Sequence, residues 1–518
     1  MAYCGYITRL KNVRKHSNAD RLLLADCFGN TVIVSLDYTE NQLGVYFPVD
    51  GQLSVEFCAA NDLVRRKDEN GNPAGGYLDP EKRNIKAMKL RGEKSDGLFL
   101  PLTSLANFTT VSDLKEGDTI TILNGVEICK KYIPKRKEGS WHGGGSKGHK
   151  TKVNFAPTFA QHVDTEQLAY HLNDFRTGDV VELTLKMHGT SGRTGYLPLI
   201  KGYKDSYNCW IGNAIAKISA RLRKRPDPVP RHDGEPIYEY GYVTGTRRVV
   251  LDEKHDGGFY DDNQFRLEMA KKFEGKLHKG ETVYYEIVGF VNENTPIMAS
   301  VKNSKISDKA FTKQYGEETM FSYGCDPTGD WVEISIAPDE LYVNTWNGPV
   351  AHTSEIKPPR CEVYVYRMTM SNDEGDVVEM SPEQMRLRCG QMGVKYVPVF
   401  EKFMIPEYEE TAQEIHSPFD DDEPVLRGDG EPVVCVTKTI INPGEYVLRK
   451  VEQYFDGPDP IGKTHIREGV VARIVNRPTI CLYKHKNHTF KMLSGIAIEQ
   501  AEESGALDKI SQDILEEL

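Results

Sequence analysis

Around residues 138–150 the chain stops looking like packed protein: Gly143-Gly144-Gly145 stands among lysines and Trp141, with turn composition and no apolar periodicity. A stretch of that kind links folded units, so the sequence has to be read as two parts. The division expected is a first module over 1–125, a basic glycine-rich linker over 126–152 and a larger domain over 153–518.

Ahead of the linker, short apolar stretches (Leu22-Leu23-Leu24, Thr31-Val32-Ile33-Val34, Val45-Tyr46-Phe47, Gly97-Leu98-Phe99-Leu100) alternate with Gly, Asn and Asp, the pattern of a small β-barrel. Beyond it, Val180-Val181-Glu182-Leu183-Thr184-Leu185 alternates as a strand does, while Ser381-Pro382-Glu383 opens a helix with an N-cap serine and a first-turn proline. The fold class expected is α+β. No apolar run approaches the roughly 20 residues that cross a bilayer, and Met1-Ala2-Tyr3-Cys4 begins no export signal, so a cytoplasmic, membrane-free protein is expected. The ten cysteines are scattered, which fits a reduced compartment without structural zinc. A net charge of -11 argues against a surface coated in nucleic acid but leaves room for local basic grooves, for which Lys130–Lys152 and Lys217–Arg225 are the candidates. The acidic runs Asp252–Asp262 and Asp420–Glu423 read as exposed loops, and Ala501–Leu518 as an acidic amphipathic helix.

The alternating strand runs directly into Lys186-Met187-His188-Gly189-Thr190, so a lysine projects from a strand end with a glycine turn three residues on. The spacing is common, and it recurs at Lys94-Ser95-Asp96-Gly97, Lys254-His255-Asp256-Gly257 and Lys272-Phe273-Glu274-Gly275. What singles out Lys186 is the series behind it: Glu286-Ile287-Val288-Gly289, then Tyr364-Val365-Tyr366, then Glu468-Gly469-Val470-Val471, then Lys484-His485-Lys486.

In that order the five segments resemble motifs I, III, IIIa, IV and V of the covalent nucleotidyltransferase superfamily of ligases and capping enzymes, and Lys-x-His-Gly-Thr is the form seen in RNA ligases. The first module adds a second resemblance. His16-Ser17-Asn18-Ala19-Asp20-Arg21-Leu22, Val45 to Asp50, Ile85 to Gly92 and Ser95-Asp96-Gly97-Leu98 look like the OB-like module that precedes the ligase domain in one ATP-dependent RNA ligase family, common in phages and present in some bacteria and protists. His188 stands where the best-characterised members carry aspartate.

The resemblance implies an RNA ligase that joins 5′-phosphate to 3′-hydroxyl ends, at nicks in a duplex, with ATP and Mg²⁺ (or Mn²⁺) as cofactors. Lys186 would become adenylylated. A lysine attacks phosphorus only as the neutral amine, and with an ordinary value near 10.4 well under ~1% is neutral at pH 7, so nearby positive charge has to favour proton loss. ATP contacts fall to Lys186, Gly189, Glu286, Tyr366, Lys484 and Lys486, with Tyr364 on the same strand face as Tyr366 and open as an alternative. Glu468 and Glu286 are the carboxylates for the metal, and Arg193, Arg247 and Arg248 are candidates for the RNA 5′-phosphate. A DNA ligase or a capping guanylyltransferase would share the lysine chemistry, but these usually carry an OB domain after motif V, where about 30 residues follow Lys486. A catalytically silent RNA-binding protein is the alternative outside enzymes.

Overall fold

The computed structural model describes residues 3–67, 70–134, 155–223, 230–247, 249–251, 264–306, 308–329, 342–345, 348–351, 358–414, 416–417, 420–428 and 431–504. Among them the chain is a mixed α/β structure built on antiparallel sheets. Most of the 126–152 linker, with Arg248, Lys254 and the end of the C-terminal tail, lies outside the described residues. None of the described helices is long and apolar enough to cross a membrane.

The first module holds a four-stranded sheet, in the order Gly97–Pro101, Leu43–Pro48, Gly5–Arg9, Thr119–Ile120, and a three-stranded meander of Lys11–Lys15, Leu22–Cys27 and Asn30–Ser35. The barrel expected from the sequence is not found closed among the described residues. Leu10, Ala25, Val32, Val34, Tyr46 and Phe99, drawn from both sheets and the chain between them, form one buried cluster. At one edge the Asp96 N–H donates to the Thr31 carbonyl at 2.8 Å. Alternation in these strands buries one face, and the turns supply the rest of the shape.

Two sheets carry the second part. The first runs Glu166–Gln167, Cys481–Lys486, Gly469–Ile474, Val180–Lys186, Val399–Met404. The larger contains Pro236–Gly245, Thr190–Tyr203, Glu281–Asn292 and Cys361–Ser371 as neighbours. Residues 187–189 join Val180–Lys186 of the first sheet to Thr190–Tyr203 of the larger, so the chain crosses from one to the other immediately after Lys186. A shared apolar core, including Leu185, Met187, Val288, Tyr364 and Phe490, lies between them. Asp420–Glu423, read from sequence as a loop, falls in the strand Asp420–Pro424, paired with His416–Ser417. The terminal helix starts earlier than the acidic tail suggested, spanning His488–Ser504.

The first module rests against that last helix. Asp96 receives His488 Nδ1 at 2.7 Å and Lys491 Nζ at 3.3 Å, Lys89 reaches Asp308 at 2.6 Å, and Lys82 and Lys86 pair with Glu502 and Glu499. Tyr6 stacks on Tyr170 with ring centroids 4.1 Å apart.

Candidate active site

Strand register assembles the lysines. Lys186 is paired with Gly469, and Gly469 in turn with Lys486, so three neighbouring strands present one row: Lys186, the Glu468–Gly469 corner, Lys486. Adjacent strands lie about 4.8 Å apart, which leaves both amines within reach of the carboxylate between them. Glu468, 1% exposed, takes Lys186 Nζ at 2.7 Å and Lys486 Nζ at 3.2 Å on the same oxygen, while His188 Nδ1 stands 3.6 Å from the other. Gly469 permits this corner. Its φ of +157° and the 2.1 Å that would separate a Cβ from the His485 carbonyl leave no space for a side chain.

The crossover supplies the second carboxylate. A Cβ on Gly189 would come within 2.3 Å of the Ile287 carbonyl, and the bare backbone allows the Gly189 N–H to donate to Glu286 Oε1 at 3.1 Å. Ser191, paired across the sheet with Glu286, donates its hydroxyl to Glu286 Oε2 at 3.2 Å. Burial, with a smaller push from Glu468 and against the pull of Lys186 and Arg247, raises the Glu286 carboxyl to about 7. Arg247 reaches the Ser191 hydroxyl at 3.4 Å and Asp164 at 3.5 Å. Lys186, Gly189, Glu286, Glu468, Lys486 and Arg247 therefore converge.

The remaining sequence candidates divide. Tyr364 is buried in the apolar core between the sheets, whereas Tyr366, at an irregularity in the register with Tyr284-Tyr285, keeps part of its ring open and turns its hydroxyl to His162 at 3.4 Å. Lys484 lies two residues before Lys486 on the same strand face. Arg193 has a different occupation. It is 2% exposed, stacks over Phe159 at 4.1 Å and donates to the carbonyls of Thr246 (2.9 Å), Phe159 (3.2 Å) and Ala160. That guanidinium holds the segment before the lysine strand to the large sheet, and its bonds leave little of it for a phosphate. Lys272 is likewise committed, 2.7 Å from Glu362.

Three residues of the site escaped the sequence reading. The Tyr323 hydroxyl accepts the His188 N–H at 2.8 Å, fixing the turn after the lysine. His162, edge-on to Tyr366 at 5.5 Å, is pushed down to about 3 by burial and by the surrounding cations, Arg247 foremost, so it is neutral. Ser191 joins Glu286 to Arg247. Only Ser191, two residues past Gly189 on one strand face, left a trace in the sequence; the other two come from segments with no motif.

Beside the cluster lies a cavity of 830 Å³, lined on one side by Gly189, Arg247, Glu286 and Lys486, and on the other by Lys86 and Lys89 of the first module. Its size suits a nucleotide. Fold and site together define a two-sheet protein whose strand-end lysine faces a buried and a half-buried carboxylate, with further cations around a nucleotide-sized cavity. No family model and no curated protein matches this sequence. Among solved structures the chain is similar to a mutant of the Naegleria gruberi RNA ligase with AMP and Mn, at TM-score 0.46 and 14% identity over 94% of this chain and 97% of that one. It is also similar to a mutant of that ligase with ATP and Mn (TM-score 0.44, 13% identity, 95% and 97% covered) and to the ligase with PPi (TM-score 0.45, 12% identity, 94% and 97% covered).

Proposed function

We propose that the protein is an ATP-dependent RNA ligase that seals 5′-phosphate to 3′-hydroxyl ends through a lysyl-AMP on Lys186. The observation that carries the reading is the row Lys186–Glu468–Lys486, with the two amines 2.7 and 3.2 Å from one buried carboxylate oxygen. A lysine kept for stability alone is rarely placed against a second lysine in a buried site.

In this reading the Lys186 amine attacks the α-phosphate of ATP, a phosphoramide forms and pyrophosphate leaves; AMP then passes to the RNA 5′-phosphate, and the 3′-hydroxyl displaces it. Lys486 and Lys484 neutralise charge on the phosphates. Tyr366 offers its open ring to the adenine, and Arg247 is the candidate for the 5′-phosphate. Glu468, buried, and Glu286, half-buried, bring two carboxylates against the lysine, the oxygen donor set that a hard divalent ion takes. A Mg²⁺ or Mn²⁺ ion held there would supply positive charge beside the amine. The first module, as an OB-like unit, would bear on the RNA flanking the break.

The test uses nicked duplexes with preadenylylated 5′ ends. Deoxyribonucleotides on the 3′-hydroxyl side should depress sealing about 10²-fold, because loss of a 2′-hydroxyl contact misplaces the attacking oxygen, and the same change on the 5′-phosphate side should cost far less. Equal single-turnover rates on all-RNA and all-DNA nicks would replace the RNA ligase with a DNA ligase.

A further inference from the structure

Residues 82–91 of the first module carry Lys82, Arg83, Lys86, Lys89 and Arg91 and no acid, in a chain whose net charge is -11. Three of these cations meet acids of the second part. Lys82 pairs with Glu502 and Lys86 with Glu499, both on the helix His488–Ser504, and Lys89 stands 2.6 Å from Asp308. In these pairs every cation belongs to the first module and every acid to the second part. Glu499 and Glu502 lie roughly 16 and 21 Å along the helix from His488 at 1.5 Å per residue. With Lys82 and Lys86 they line the cavity that also reaches Lys486 and Arg247.

The three pairs differ in how firmly the acid is held. Asp308 is the N-cap of the helix Lys309–Tyr315, where its carboxylate accepts the Ala310 and Phe311 N–H groups at 3.0 and 3.1 Å as well as the Lys89 ammonium. It keeps that place with or without the lysine. Glu499 and Glu502 project from the body of a helix on longer side chains, Glu502 accepting the Tyr132 hydroxyl at 2.8 Å besides. Their lysines are the open partners: Lys86 and Lys82 side chains are 41 and 36% exposed, against 23% for Lys89. Ion pairs open to water to that extent contribute little to stability, because solvent screens them. Buried Asp96 already joins the module to the same helix through His488 and Lys491, so the two open pairs are not required to dock it.

We propose that Lys82 and Lys86 bind backbone phosphates of the RNA flanking the break, with Glu499 and Glu502 as the groups those phosphates displace, a reading that rests on the ligase function above. A phosphate-tracking surface needs several cations in a segment without acids, set beside the chemistry. Residues 82–91 meet the first requirement in sequence, and the shared cavity wall meets the second. Lysine suits the exchange, since its ammonium is a point charge on a flexible stem and passes readily from one oxyanion to another. The helix glutamates act as a filter. A ligand with a single anionic group trades one pair for another and gains little, whereas a polyanion replaces both glutamates together and releases its counterions.

The test measures binding of the full-length protein to a nicked RNA duplex with a 5′-hydroxyl at the nick, which presents the backbone but cannot be sealed, across a salt series. Glu499→Gln with Glu502→Gln should tighten binding about tenfold. Glu409→Gln with Glu410→Gln, which makes the same change in net charge on the strand Tyr408–Glu414, should leave binding at the parent's value. Lys82→Ala with Lys86→Ala should reduce the steepness of log affinity against log salt by about 1.8, while Lys89→Ala should leave it unchanged. Adduct formation by the Glu499→Gln, Glu502→Gln variant, expected at the parental rate and ATP dependence, reports on folding. Absence of an adduct from the parent would end the ligase reading alone, and the binding series would still decide this one. Equal tightening by the two glutamine pairs, or a parental salt slope in the Lys82→Ala, Lys86→Ala variant, would overturn the proposal. So would a change confined to the ATP dependence of adduct formation, which would give the lysines to the triphosphate.

Discussion

Of the four segments with a lysine and a glycine three residues later, Lys94–Gly97 and Lys186–Gly189 are put to opposite uses. In Lys94-Ser95-Asp96-Gly97 the lysine is exposed and the aspartate is buried, held by His488 and Lys491. In Lys186-Met187-His188-Gly189 it is the lysine that is turned inward, onto Glu468. Each locality contains one buried carboxylate with two nitrogen cations or potential cations close by. What separates them is the third party. Asp96 is satisfied further by the backbone, with its N–H on Thr31 and its carbonyl accepting the Tyr46 hydroxyl at 2.6 Å. Despite its burial, Lys491 and His488 hold its carboxyl down, to about 2. Next to Glu468 stands a second carboxylate, Glu286, raised to about 7, with a cavity alongside. A closed, fully answered carboxylate joins two parts of a molecule; a crowded one at a cavity is poised for a ligand.

The largest effect expected is on the covalent adduct. Lys186→Ala should abolish labelling from α-³²P ATP, at least ~10³-fold below the parent, as loss of a covalent nucleophile does, whereas Lys94→Ala should label normally. A labelled peptide containing Lys94 would erase the distinction between the two segments.

Next in size are the carboxylates themselves. Asp96→Ala takes the carboxylate from buried His488 and half-buried Lys491 and should cost about 3–5 kcal/mol in urea unfolding. Glu468→Gln should instead reduce adduct formation by about 10²-fold while shifting stability much less, because Lys486 lines the cavity. Similar stability losses from both changes would make the Lys186–Glu468–Lys486 cluster another structural joint.

The pH dependence sharpens the comparison because the signs are opposite. Glu286 is raised from 4.5 to about 7, so its contribution to stability is fully present below pH 4.5 and is lost as pH rises through 7. At ~1.4 kcal/mol per unit this amounts to about 3 kcal/mol, and Glu286→Gln should flatten the thermal-stability profile between pH 4.5 and 7. Asp96 is lowered from 3.8 to about 2, so its contribution is present above pH 3.8 and disappears as pH falls through 2, about 2 kcal/mol that Asp96→Asn should remove. A Glu286→Gln profile parallel to the parent would show that this carboxyl is already ionised near pH 5.

The smallest effect separates the two lysines of the last strand. Lys486, in contact with Glu468, should lose at least about tenfold more adenylylation rate on change to alanine than Lys484, the difference expected when one charged contact near the phosphates is removed.

The alternation of Val180–Leu185 made the lysine strand legible, and the order of the later segments pointed to Glu286, Glu468, Lys484 and Lys486. Strand and glycine-turn signals are local, since they depend on side-chain alternation and on backbone conformations that few residues adopt. The sequence by itself therefore determined the strands, the turn after Lys186 and the residue types available for chemistry. Register and packing decided which of them meet. Only the pairing of Lys186 with Gly469 and of Gly469 with Lys486 puts two amines on one carboxylate, and only the bulge near Tyr366 distinguishes it from the buried Tyr364. Arg193 was drawn to the site by its closeness in sequence to Lys186–Thr190, yet it is consumed by the carbonyls of Thr246, Phe159 and Ala160. His162 and Tyr323 came from unmarked segments. Such contacts join residues far apart in the chain, so their energies appear only after the sheets have closed, and no local pattern in the sequence carries them.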